Sequence, residues 1–256
     1  MRPIFLLTLR ALARGRRLLV VAALLLVPAL LALIYRLSAP YNQNGAHPAH
    51  PFRDYILPFQ IDLFSQLVVP ILLPLTALIF ATSALGGEIE DRTLIYLTLR
   101  PVSRLTIGVA KLLATALVTV VLVEASLALT YAIAAQGQSG AGDGLAAILL
   151  AGLAGCLGYV SLFLLIGLLA PRRALLIGFI YVMAWEGLAA GFSTGLATLS
   201  VRRYVEGILH AGLNAIRVPE IQWPNVTGAT SIAVLAAIFI AGLALTTWQL
   251  HRIELT

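Results

Sequence analysis

The chain reads as an all-α integral membrane protein, with six transmembrane helices preceded by a short amphipathic helix. Three observations predict this. Of the 256 residues, 60% are hydrophobic and 11% are charged, whereas soluble domains carry about 25% charged residues. The apolar residues fall in blocks long enough to cross a bilayer, which takes about 20 residues per helix. The arginines gather at the ends of those blocks, as they do in chains that the positive-inside rule orients. A mean hydropathy of +0.97 agrees. One membrane domain, 1–256, accounts for the length, with no room for a soluble catalytic domain beside it.

Residues 1–17 form the amphipathic element. Phe5, Leu9 and Leu12 share one helical face and Arg10, Arg14 and Arg17 another, the arrangement of a helix lying in the membrane interface. The spans then fall at 18–35, 61–85, 105–135, 145–170, 174–195 and 230–250. The first is longer than a signal-peptide core and has no small-residue cleavage site after it, so it is read as a retained helix. Pro70 and Pro74, one turn apart, predict a bend in the second. Residues 36–60 make a polar loop, and 196–229 an external segment of mixed polarity that dips back toward the membrane.

Orientation follows from the connections. Eleven arginines, from Arg2 to Arg252, fall on the side of the N-terminus, against five (Arg36, Arg53, Arg202, Arg203, Arg217) on the other. Both termini are therefore expected in the cytoplasm. The net charge of +6 and pI of about 9.9 reflect this orientation and lipid headgroup contact rather than nucleic acid. The single cysteine, Cys156, cannot form an intrachain disulfide.

Residues 86–104 carry the most specific pattern. Gly86-Gly87 are expected to end the second helix. Glu88, Glu90 and Asp91 suit the first turn of a new one, where the helix dipole favours anions. Leu94, Ile95, Leu97 and Leu99 give that helix an apolar side, and Pro101 stops it. The expected product is a short, charged helix held against the cytoplasmic membrane face, able to dock a soluble partner and move two spans.

The stretch Glu88-x-Glu90-x-x-Thr93-Leu94-x-x-Leu97-x-x-x-Pro101-Val102-Ser103-Arg104, followed by Gly108 and Lys111, resembles the pattern of ABC-2 type transporter permeases. These are membrane subunits of bacterial ABC exporters with the type V fold. The layout of nearly the whole chain is similar as well. The resemblance implies that 86–104 is the coupling helix that meets a separate ATPase, with Glu88, Glu90, Arg92, Thr93, Pro101 and Arg104 at the contact. It implies a second permease subunit, identical or paralogous, and a path lined by the second and fifth helices. It also implies a place in the bacterial inner membrane. Arg92 departs from the family, which often has glycine there. No G-x-x-x-x-G-K-[ST] phosphate loop occurs in the chain, so ATP and magnesium are expected on the partner ATPase and no cofactor or enzyme activity on this chain.

Other candidates are weaker. Glu124 in the third span and Glu186 in the fifth are intramembrane carboxylates, costly unless they face a cavity or partner. For Glu124 an ion or proton pathway and a packing role both stay open, and the first makes an ATP-independent transporter or channel the alternative function. For Glu186, beside Trp185, a hydrogen-bonded packing role is the simpler reading. Gly187, Gly191 and Gly195 recur every four residues and make a smooth face for helix packing, inside the subunit or across a dimer. Gly191-Phe192-Ser193-Thr194-Gly195 matches G-x-S-x-G, but it ends an apolar helix rather than a strand and has no histidine within a neighbouring span. His47 and His50 lack the carboxylates of a metal site. Few polar residues are available to line a path, which points to a hydrophobic or amphipathic cargo such as a drug, lipid or peptide.

Overall fold

The computed structural model describes residues 2–13, 16–38, 52–90, 103–136, 142, 144–189, 194–215 and 226–252, and every regular element among them is helical. Among the described residues, five helices are long and apolar enough to cross a membrane: Arg17–Ser38, Leu57–Leu85, Arg104–Ala135, Leu145–Leu169 and Gly228–Leu250. They are the first to fourth spans and the final span. The remaining expected span, at 174–195, has another form. A 3-10 turn at Pro171–Arg173 leads into a seven-residue α-helix, Ala174–Ile180, and then nine residues of wide π-helical turns, Tyr181–Ala189. This short fifth helix, 174–189, falls below the about 20 residues that a crossing takes.

Proline explains where the spans deviate. In the first span, Pro28 cannot donate to the carbonyl of Leu24, and the helix breaks at Leu26 between Arg16–Leu25 and Val27–Ser38. In the second, the expected bend takes the form of wide turns over Phe64–Leu72 with Pro70 inside them. Pro74 follows at the start of the α-helix Leu73–Glu90.

The fourth span is the hub. It packs on the second, third and final spans and on the amphipathic helix Val201–Ala215. Inside a membrane, close contact depends on small residues that let backbones approach. Gly155 meets Leu73 and Val205, and a Cβ on Gly167 would sit 3.1 Å from Thr82 Cα. The second span is 72% buried over its apolar window, against 28% for the first and 17% for the final span. The first and final spans are therefore peripheral within the subunit.

The second span keeps one half-buried stripe at four-residue spacing: Leu63, Leu67, Ile71, Leu75, Ile79 and Ser83. Next to it the short fifth helix buries Ala174, Val182 and Glu186, while Leu175, Leu176, Phe179 and Ile180 stay exposed.

The N-terminal helix, Arg2–Leu12, packs against the third span. Ile4, Thr8 and Leu12 are its buried positions, so the inward face is turned from the expected Phe5, Leu9 and Leu12. The reason is tertiary: Ile107 and Ala110 of the third span cluster with Ile4 and Phe5. At the other end of the bundle, the Arg36 guanidinium donates to the carbonyl of Ile133 (2.7 Å) and to Gln136 Oε1 (2.9 Å). A cation there suits the negative C-terminal end of the third span. Tyr35 stacks on Phe59 with ring centroids 3.9 Å apart, which ties the first span to the second.

Candidate functional site: a three-way clamp and a buried carboxylate node

At the end bearing the N-terminal helix, the glycine pair does not stop the second helix. Its backbone continues through Gly86 and Gly87 to Glu90. Glu88 and Glu90 therefore lie in the last turn of one helix, not the first turn of another, which corrects the expected start. Glycine in a helix interior costs about 0.5–1 kcal/mol, and acidic residues at a helix C-terminus oppose its dipole. Lys111 of the third span is completely buried, and its ammonium donates to the carbonyl of Ala84 at 2.7 Å.

Arg92, Thr93 and Pro101 lie outside the described residues, as does the rest of 91–102. The chain resumes at Ser103, which caps the third span by accepting from the backbone N–H of Thr106 at 3.2 Å. Arg104 turns inward and donates to the carbonyl of Leu250 in the final span. One turn on, Gly108 brings the backbone close to Thr247, whose Cγ2 would sit 3.0 Å from an added Cβ. The first turns of the third span are thus held by the N-terminal helix through Ile107 and Ala110, by the final span through Arg104 and Gly108, and by the second span through Lys111.

About midway along the fourth span, Glu186 lies in the wide turns of the short fifth helix with no exposed surface. It accepts four hydrogen bonds, from Tyr181 Oη (2.6 Å), Ser200 Oγ (2.5 Å), Val201 N (3.1 Å) and Arg202 N (3.2 Å). The two backbone donors open the helix Val201–Ala215. Such first-turn N–H groups have no partner within their own helix, so a carboxylate from another element caps it. The chain of contacts continues outward. Arg202 pairs with Glu206 at 2.6 Å and donates to the carbonyl of Ser65 in the second span at 3.2 Å. Tyr159 of the fourth span lies beside Glu186. Burial pushes the Glu206 carboxyl above its ordinary range while Arg202 pulls it back, and burial lowers His210.

Glu124 is half-buried on the third span. Its carboxyl fits where Gly152 leaves room: a Cβ on Gly152 would sit 2.9 Å from Oε1. That oxygen is buried without a hydrogen-bond partner among the described residues. Gly152 and Tyr159 are seven residues apart on the fourth span, so Glu124 and Glu186 lie about 10 Å apart along its axis.

The expected glycine face is only partly described. A Cβ on Gly187 would meet Val182 O of its own helix at 3.5 Å and no atom of another element among the described residues. Gly195 lies in the short helix Thr194–Ala197, and Gly191 lies outside the described residues, as do His47, His50 and Ser193.

Sequence reasoning missed Arg202, Ser200 and Tyr181 as partners of Glu186, and the inward role of Lys111. The spacing of Arg202 and Glu206 (i, i+4) was the one local signal for the pair. The family model described as ABC-2 family transporter protein matches residues 14–198. No curated protein matches the chain.

Proposed function

Because this chain belongs to the ABC-2 family of transporter proteins, we propose that it is the permease subunit of an ABC exporter, driven by a separate ATPase. The carrying observation is the three-way clamp around the third span, which surrounds the two ends of the charged segment 88–104. The face with the N-terminal helix is cytoplasmic in this reading, and the protein sits in the bacterial inner membrane. The segment 174–195 makes the fifth of six crossings in this reading. Val201–Ala215 is the re-entrant external helix. Two permease subunits, identical or paralogous, stand above two ATPases. Closure of the ATPases on ATP and magnesium pushes on Glu88, Glu90, Arg92, Thr93 and Pro101, while Arg104 relays the movement to the final span. The path runs between subunits, along the half-buried stripe of the second span and the exposed face of the fifth helix. Their apolar side chains suit a hydrophobic or amphipathic cargo, such as a drug, lipid or peptide.

The test is charge reversal in the segment. The unaltered chain is expected to co-purify with an ABC ATPase, and the triple change Glu88→Lys, Glu90→Lys, Arg92→Glu to lose it while the chain still reaches the membrane. A cysteine at position 93 that reacts with an impermeant thiol reagent only from the external face would overturn the proposal.

One observation favours a second reading, an ATP-independent transporter or channel: the unpartnered Oε1 of Glu124. The measurement is uptake into liposomes holding this chain alone under a pH gradient. Uptake that Glu124→Gln abolishes establishes this reading, and absence of uptake removes it.

A further inference from the structure

We infer that Glu186 is the positioning residue of a latch midway along the fourth span, an inference that rests on the permease reading. Its four hydrogen bonds make the short fifth helix and the helix Val201–Ala215 one body. Arg202, whose backbone N–H is one of those four donors, fastens the same body to the second span through the carbonyl of Ser65. Any opening between the second and fifth helices at this level must either break the Arg202–Ser65 contact or carry Val201–Ala215 along.

Three further observations separate this arrangement from ordinary packing. First, the joint is polar in an apolar bundle. Glu186 is 0% exposed and Glu206 5% exposed, and burying a charge is costly where apolar side chains of similar volume would pack as well. Second, both partners are widened where they meet. The turns Phe64–Leu72 and Tyr181–Ala189 pack on each other, and π-helical turns within helices are frequent at functional sites. Third, the joint is under-satisfied on the second-span side. Ser65 Oγ is buried with no partner among the described residues, so its surroundings gain hydrogen bonds when water enters. A directional joint that water can replace is one that can open and close again.

The experiment places a reporter in the joint. In a Cys156→Ala background, Ser65→Cys puts a thiol at a position that is closed to solvent here, and an impermeant reagent is applied from outside. Glu186→Gln and Arg202→Met are each expected to raise the labelling rate at least about tenfold without nucleotide, the factor that one charge-assisted hydrogen bond is worth. Glu186→Asp should restore slow labelling. With the ATPase present, both loosening variants should lower transport per ATP hydrolysed while leaving ATPase association unchanged. Should Glu186→Gln fail to fold, Tyr181→Phe removes one of the four bonds and reports in the same assay. Unchanged labelling in folded Arg202→Met and Tyr181→Phe overturns the latch. Failure of the unaltered chain to bind any ATPase overturns the permease reading instead, and leaves the labelling result standing.

Discussion

Replacement of Lys111 by methionine is expected to leave the helical bundle folded and to cut ATP-driven transport about tenfold or more. The ammonium is completely buried and donates to the Ala84 carbonyl one turn before Glu88. Hydrogen bonds to charged groups contribute about 1.5–3 kcal/mol, and this one joins the two helices that flank residues 91–102. Methionine fills similar volume but removes the donor, so a modest fall in melting temperature, of the size of one such bond, is expected beside a much larger loss of transport. Lys111→Glu sets an acid beside a helix C-terminus and should unfold the protein at lower temperature as well. Transport and ATP hydrolysis in proteoliposomes, with thermal unfolding in detergent, separate the outcomes. Equal loss of stability and transport in Lys111→Met would make the lysine a packing residue alone.

Gly212→Leu is expected to have the largest effect on stability. A Cβ at Gly212 would lie 2.5 Å from Ala147 Cβ and 3.1 Å from Ala147 Cα, so the obstacle includes backbone that cannot rotate away. Overpacking of this kind costs about 1–3 kcal/mol, and a leucine adds three more carbons. Val201–Ala215 would lift off the fourth span, and its contacts with Ser65 and Glu186 would go with it. Thermal unfolding in detergent should show a clear drop in midpoint. Gly142→Ala, where an added Cβ meets nothing within 4 Å, should melt like the unaltered chain.

The positions of the five long spans were legible because a bilayer imposes a length, and blocks of apolar residues about 20 long meet it. The second span already starts at Leu57 and the first at Arg17, within a few residues of their expected ends. The fifth was harder. Its residues are apolar, but the helix narrows to seven α-helical residues and nine widened ones, and no local signal marks that change. The glycine pair at 86–87 misled for a related reason. Glycine disfavours a helix interior by only about 0.5–1 kcal/mol, so the pair by itself does not end the helix, which runs on to Glu90. Glu186 was readable as a hydrogen-bonded carboxyl, yet Ser200, Val201 and Arg202 lie 14 to 16 residues further along, beyond any helical periodicity.

Composition and block length alone determined that this chain is a multi-pass helical membrane protein, because hydrophobic burial in lipid depends on which residues occur in runs and not on what they touch. Tertiary structure decided which helices stand inside, which carboxylate caps which helix, and that a lysine holds the second helix to the third. Those outcomes depend on donors and acceptors from distant parts of the chain meeting within about 3 Å, and sequence spacing along one helix carries no record of such meetings.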